Sequence, residues 1–261
     1  MITSMEHAFS LKGKTAIVTG GNRGIGLGIS EAMAQQGANV IIMCRSVDQG
    51  EQTVADLSAK YEGKFAFYRT DTADLVNCRE SVAKAIADFG QINILVNNAG
   101  ITGTCTIFDM DEDLTLLHNV IDVDLFGPFQ LSYIVAKHMR EIGGGKIINI
   151  SSNSGSMVNK PQKMSAYCVA KAALNQFTRC AAYEWAEYGI NVNAIAPGFT
   201  YATHTKSMSD ETMELMMSKM PVGRFGEAIE IGALAVYLAS EASDIVTGAI
   251  YTIDGGYSLA I

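Results

Sequence analysis

The chain has 261 residues, is 48% hydrophobic with only four prolines, and carries a formal net charge of −8. That size and hydrophobic content suffice to bury a large core, and we expect a single domain over residues 1–261. An acidic balance without any basic run argues against nucleic acid or an anionic membrane as partner, and leaves a small molecule.

Residues 1–12 lack the apolar core of a signal peptide, and no later segment is uniformly apolar over about eighteen residues, so a cytoplasmic, soluble protein is expected. Residues 14–19 form a short apolar run that breaks into Gly20-Gly-Asn-Arg-Gly-Ile-Gly26 and then into a helical pattern (Ile29, Ala32, Met33) ending at Gly37. This is strand, glycine turn, helix. Glycines let the backbone approach a phosphate, and the helix offers unpaired N–H groups and the positive end of its dipole, which suits a nucleotide pyrophosphate. A bare strand-to-helix turn is the alternative. A second strand, 39–44, ends at Cys44 with Arg45 following and Arg23 in the glycine turn. An acidic residue there would bond a free ribose 2′-hydroxyl. Two guanidiniums instead suit a 2′-phosphate, so NADP(H) is expected over NAD(H), unless both arginines are solvated loop charges.

A third strand, 64–70, runs to Asp71 and Thr72 and a helix over about 74–89; a fourth, 92–96, closes in Asn97-Asn-Ala-Gly100. Alternating strands and helices predict an α/β chain: a Rossmann-type, doubly wound parallel sheet of about seven strands, with ligands at the strands' carboxyl ends. Asp71 could then contact adenine and Asn97 brace the glycine turn, or both could cap their strand ends. A long helical region over about 112–142 leads to strand five, 146–150, and to Ser151, Ser152, Asn153, Ser154 and Gly155, where a serine hydroxyl could hold a carbonyl oxygen. In the helix that follows, Tyr167 and Lys171 lie one turn apart on the same face. A fixed cation favours a phenolate, so the pair can move a proton near neutrality, although the spacing also occurs on ordinary solvated helices. Strand six, 191–195, ends at Pro197-Gly198. Residues 199–220, with His204 and Met208, Met213, Met216, Met217 and Met220, are long enough to form a lid over the cleft. A helix over 227–239 and a strand over 249–253 complete the pattern. Five cysteines (Cys44, Cys78, Cys105, Cys168, Cys180) at irregular spacing, without a CxxC pair, predict free thiols and no metal.

Thr19-Gly-x3-Gly24-Ile-Gly26, Asp71, Asn97-Asn-Ala-Gly100, Ser152, Tyr167-x3-Lys171 and Pro197-Gly198 stand in the order and spacing of the short-chain dehydrogenase/reductase family, which the chain resembles over essentially its whole length. The resemblance implies that Ser152 orients a carbonyl, that Tyr167 is general acid in reduction and general base in oxidation, and that Lys171 lowers the tyrosine's pKa and bonds the nicotinamide ribose. It places dinucleotide contacts at Gly20, Asn22, Arg23, Gly24, Ile25, Gly26, Arg45, Asp71, Thr72, Asn98, Ala99, Gly100, Tyr167, Lys171, Pro197, Gly198 and Thr200. Hydride would pass between the nicotinamide and the substrate carbon. One position departs from the pattern. Where the family has an asparagine that kinks the long helix and holds a water of the proton relay, this chain has Asp124, which we expect to keep that role because it is near-isosteric.

Within the family, Val158-Asn159-x-Pro161-Gln162 and Arg224-Phe225 look most like the mannitol, arabinitol and sorbose branch, which interconverts ketoses and polyols. Asn153, Ser154, Asn159, Gln162 and His204 would give a neutral polar pocket suited to hydroxyls. The alternatives are a reductase of 3-oxoacyl thioesters or bulkier apolar ketones, and a catalytically silent nucleotide-binding regulator. Assembly as a homotetramer or homodimer is also implied by the resemblance.

Overall fold

A computed structural model of the chain describes residues 5, 7–159, 162–201 and 209–259. Short apolar runs rich in Ile and Val become seven strands: β1 (Thr15–Thr19), β2 (Asn39–Cys44), β3 (Phe65–Arg69), β4 (Ile94–Asn97), β5 (Gly145–Ile150), β6 (Ile190–Pro197) and β7 (Ile250–Ile253). All pair in parallel in the order β3-β2-β1-β4-β5-β6-β7. Between them run α1 (Gly24–Gln35), α2 (Val47–Lys60), α3 (Leu75–Phe89), α4 (Thr115–Ile121), α5 (Gly127–Glu141), α6 (Ser165–Trp185), α7 (Asp210–Ser218) and α8 (Ala228–Ala239). This is the Rossmann-type doubly wound sheet.

Parity along the strands sorts the core. Val18, Val40, Ile42 and Val96 face one side, against Ile29 and Met33 of α1 and Ile231 and Ala235 of α8. Their neighbours Ile17, Ile41, Met43 and Leu95 face the other, against Val82 of α3, Leu131 and Val135 of α5 and Ala181 of α6. Because both faces are covered, the strands read as continuous apolar runs rather than alternating ones. Each fully buried Ile or Leu stabilises the sheet by roughly 1.5–3 kcal/mol. The strand order reverses between β1 and β4, which opens a crevice at their carboxyl ends.

The long helical region divides. Helix α4 begins at Thr115 rather than near 112, because the Asp111 side chain accepts from the Thr115 N–H at 2.6 Å and Leu114 turns into the left-handed region at φ 51°. Between α4 and α5 the helix widens into a π turn over Asp122–Phe126, where the Gly127 N–H reaches back five residues to the Asp122 carbonyl. Pro128 lies in the first turn of α5 and has no N–H to offer the Asp124 carbonyl, so the ordinary i to i−4 ladder is broken here.

Candidate active site

A cleft of about 980 Å³ lies at the crevice. Its dinucleotide side starts at the glycine turn, whose Gly20, Asn22, Arg23, Gly24, Ile25 and Gly26 all line it. At Gly26 any side chain is impossible without opening the turn, because a Cβ would stand 2.2 Å from the Gly20 carbonyl oxygen. No side chain caps the start of α1, so its first N–H groups remain open to an anion. This cradle of bare backbone fits a pyrophosphate.

Asn98, not the expected Asn97, braces that turn. The Asn98 side-chain amide donates to the Thr19 carbonyl at 2.8 Å and to the Gly20 carbonyl at 3.3 Å. Asn97 faces the opposite side of the sheet, donating to Ser132 and Asn149, both at 2.8 Å. Adjacent residues leaving a strand point to opposite faces, so only one of the two asparagines can reach the turn. Thr19, the first residue of the glycine-turn motif, is assigned no role by the sequence. Its buried hydroxyl accepts the N–H groups of Asn98 and Ala99, both at 2.9 Å, and thereby fixes the end of β4 against the end of β1.

At the end of β2, Arg23 and Arg45 both line the cleft and are exposed, and neither forms an ion pair with a described residue. Burial pushes the adjacent Cys44 thiol above its ordinary value, against the opposing pull of the Ser46 main chain and of the Arg23 charge. No carboxylate stands at this strand end. Asp71 and Thr72 line the adjoining wall, and one Asp71 carboxylate oxygen is taken up by the Ala73 N–H at 3.1 Å. Ala99 and Gly100 form the floor, while Pro197, Gly198 and Thr200 form the far wall.

Helix α6 carries Tyr167 and Lys171 into the same cleft. Lys171 is buried, its ammonium 5.5 Å from the centre of the Tyr167 ring and donating to the Ile150 carbonyl at 3.0 Å. Asp124 is fully buried at the π turn and forms an ion pair with Lys171 at 3.0 Å; its other oxygen accepts the Ile101 N–H at 2.8 Å. Burial alone would push the Lys171 ammonium down, but the Asp124 charge and the Tyr167 group outweigh it and hold the lysine above its ordinary value. Ser152, two residues past the end of β5, lines the cleft, its hydroxyl accepting the Ser154 N–H at 3.1 Å. Ser154, Asn159 and Gln162 line the cleft beyond it, as does Asn153. His204 and Met208 lie outside the described residues. The arrangement joins an anion cradle, a phenol beside an ammonium, and a neutral polar recess. Its cysteines are free thiols, and no metal-ligating cluster occurs among the described residues.

A family model described as "Enoyl-(Acyl carrier protein) reductase" matches residues 20–258. The chain is 38% identical to the galactitol 2-dehydrogenase (L-tagatose-forming) of Cereibacter sphaeroides, over 96% of this chain and 97% of that protein. It is 37% identical to the NADP-dependent mannitol dehydrogenase of Aureobasidium melanogenum, over 95% and 93% respectively. The crystal structure of a short-chain type dehydrogenase/reductase from Mycobacterium marinum superposes with a TM-score of 0.93 at 33% identity, covering 98% of this chain and 99% of that one. The chain belongs to the short-chain dehydrogenase/reductase family. It is an oxidoreductase that acts on a CH–OH group with a nicotinamide dinucleotide and a small substrate.

Proposed function

We propose that the protein uses NADP(H) to interconvert a ketone and a secondary alcohol on a small, neutral, polyhydroxylated substrate of the ketose/polyol kind. One observation carries the substrate class. In the recess beyond Ser152, the Asn159 side chain donates to Asn153 at 3.1 Å and to Ser154 at 2.6 Å, which leaves the Asn153 amide nitrogen and the Asn159 amide oxygen buried without a partner. A buried donor and acceptor left open each cost about 1–3 kcal/mol, and a ligand bearing vicinal hydroxyls satisfies both. Among the described residues, the cleft's cations are Arg23, Arg45 and the already paired Lys171, and none of the described residues lining the recess beyond Ser152 is charged.

In this reading the unpaired guanidiniums of Arg23 and Arg45 hold the 2′-phosphate, in keeping with the NADP dependence named for the Aureobasidium relative. The bound dinucleotide supplies or accepts the hydride. Ser152 orients the substrate oxygen, Tyr167 gives it a proton in reduction and takes one in oxidation, and Lys171 holds the nicotinamide ribose. Asp124 keeps its place in the proton relay, and residues 199–220 act as the lid of one domain, with His204 among its substrate contacts. Assembly as a homotetramer or homodimer and a cytoplasmic location complete the reading.

A second reading, reduction of a 3-oxoacyl thioester, draws support from the matched family's description and from the apolar cluster of Met157, Phe199, Met213, Met216, Met217 and Met220, of which Phe199 lines the cleft. The test follows NADPH oxidation with fructose, sorbose, xylulose and acetoacetyl thioesters. A keto-sugar should exceed the thioester in kcat/KM by about tenfold or more, and NADPH should exceed NADH by a similar factor, each tenfold being about 1.4 kcal/mol of transition-state binding. Preference for the thioester or for NADH overturns the corresponding assignment. Tyr167→Phe should abolish turnover with coenzyme binding retained, whereas a silent regulator would show no turnover to lose.

A further inference from the structure

Asp124 has a geometry that a neutral amide could not reproduce. Its carboxylate is wholly buried and 3.0 Å from the Lys171 ammonium, which is itself 5.5 Å from the Tyr167 ring. A π turn presents it from one side, and the Ile101 N–H at 2.8 Å fixes its second oxygen. Gly100 leaves the room, since a Cβ there would stand 2.8 Å from that carboxylate.

We infer that Asp124 is a positioning residue whose charge compensates Lys171 and thereby sets the pH range over which Tyr167 exchanges its proton. This deepens the reading of Tyr167 as the proton-transfer group and rests on it.

The groups facing the pair are few. Helix α6 presents Tyr167 and Lys171, and β5 presents only the Ile150 carbonyl. The 98–101 segment presents main-chain N–H groups, and α4 contributes apolar Val120. His118 and Asp122 on the neighbouring turns are exposed to solvent. The buried carboxylate is therefore the counter-charge that the ammonium meets. Two effects compete at Tyr167. The cation favours the phenolate; the anion directly behind it cancels much of that field. With the carboxylate at most about 8.5 Å from the ring centre and an effective dielectric of about 20, removing its charge should ease proton loss by about 1.4 pH units. The burial that opposes the lysine's charge then goes uncompensated, so the variant should be less stable while it remains folded.

The experiment uses Asp124→Asn and, as a smaller neutral replacement, Asp124→Ser. Two readouts are taken: the pH profile of kcat/KM in alcohol oxidation, and an ultraviolet tyrosinate difference titration with Tyr167→Phe as the blank. The expected result is an acid limb displaced by about 1.4 units toward lower pH, accompanied by the same displacement in the tyrosinate titration and partly reversed in Asp124→Glu. A purely structural role would lower stability and kcat without moving either midpoint. Midpoints that stay in place or move alkaline overturn the inference. So does failure of both neutral variants to fold and bind coenzyme, which would assign the pair to the scaffold alone. If the wild type turns over no alcohol yet the titration moves as stated, the charge coupling stands and the reaction assignment falls.

Discussion

Thr19→Val tests whether the two halves of the dinucleotide cradle are held together by one hydroxyl. The Thr19 hydroxyl accepts the N–H groups of Asn98 and Ala99, both at 2.9 Å, and donates to the Val96 carbonyl at 3.3 Å. Valine keeps the shape and removes every one of these bonds. Thr19 itself is 1% exposed, so water does not reach the place the hydroxyl vacates. An unsatisfied N–H costs about 1–3 kcal/mol; because Asn98 and Ala99 are only partly buried, we take the low half of that range for each, giving about 2–4 kcal/mol in all. For a chain of this size, that corresponds to a melting temperature lower by roughly 4–16 °C. Circular dichroism melts with and without NADPH measure it, and fluorescence titration gives the coenzyme Kd. The Kd should rise as well, since Asn98 holds the Gly20 carbonyl in place. Thr19→Ser, which keeps the hydroxyl, should recover most of both losses. A Thr19→Val protein that melts within about 1 °C of wild type and binds NADPH unchanged would refute the reasoning, because the two N–H groups would then have found other partners.

Two further outcomes follow from the geometry. Gly26→Ala forces a methyl to within 2.2 Å of the Gly20 carbonyl oxygen and 2.5 Å of the Asn98 amide, so the turn must open; coenzyme affinity should fall by about tenfold or more with the circular dichroism spectrum unchanged, and an unaltered Kd would show that the cradle is not where the pyrophosphate sits. Glu230 is bonded by both Arg224 guanidinium nitrogens at 2.7 Å and by the Glu227 N–H at 2.8 Å, which together hold its carboxyl at about 2, below its ordinary 4.5. A lowered carboxylate stabilises the fold above its unfolded pKa, and that contribution disappears as pH falls from about 4.5 toward 2. Glu230 is 41% exposed and Arg224 more so, so solvent screening leaves the pair only a small contribution. Glu230→Gln should therefore melt a few degrees below wild type at neutral pH, with the gap closing as the solution is acidified through that window. A gap independent of pH would mean the loss is of helix capping alone.

Much of the architecture was legible because buried parallel strands announce themselves as short apolar runs, and the glycine turn punctuates the first of them. The strands found lie within a residue or two of the sequence boundaries, and Asp74, read as the start of a helix, caps α3 with its own carboxylate. What escaped the sequence is parity and local capping. Nothing in Asn97-Asn98 says which amide turns toward Gly20; the pairing of β4 with β1 decides it. Thr19 reads as the last residue of an apolar strand, and its three bonds go to residues nearly eighty positions away. Helix α4 starts late because Asp111 competes locally for the Thr115 N–H, a side-chain effect that helical periodicity does not register. The Asp124 departure was visible as a residue type, whereas its burial against Lys171 required the π turn.

The same parity explains how α6 is held in register. Apolar contacts are non-directional and would let a helix slide or rotate on the sheet by a fraction of a turn. Here a line of polar bonds crosses the core instead. The Asn97 side-chain amide donates to Asn149 Oδ1 at 2.8 Å; the Asn149 side-chain amide donates to the Thr178 hydroxyl at 2.9 Å; that hydroxyl donates to the Leu174 main-chain carbonyl at 2.9 Å. Leu174 stands one turn beyond Lys171, whose own carbonyl accepts the Ser151 hydroxyl at 3.3 Å. Helix α6 is thus fixed to β4 and β5 at two depths by bonds that tolerate little displacement. Lys171 reaches the Ile150 carbonyl and Asp124 simultaneously because of that registration. Asn97, which does not brace the glycine turn, contributes from the other face of the sheet by setting where Tyr167 stands.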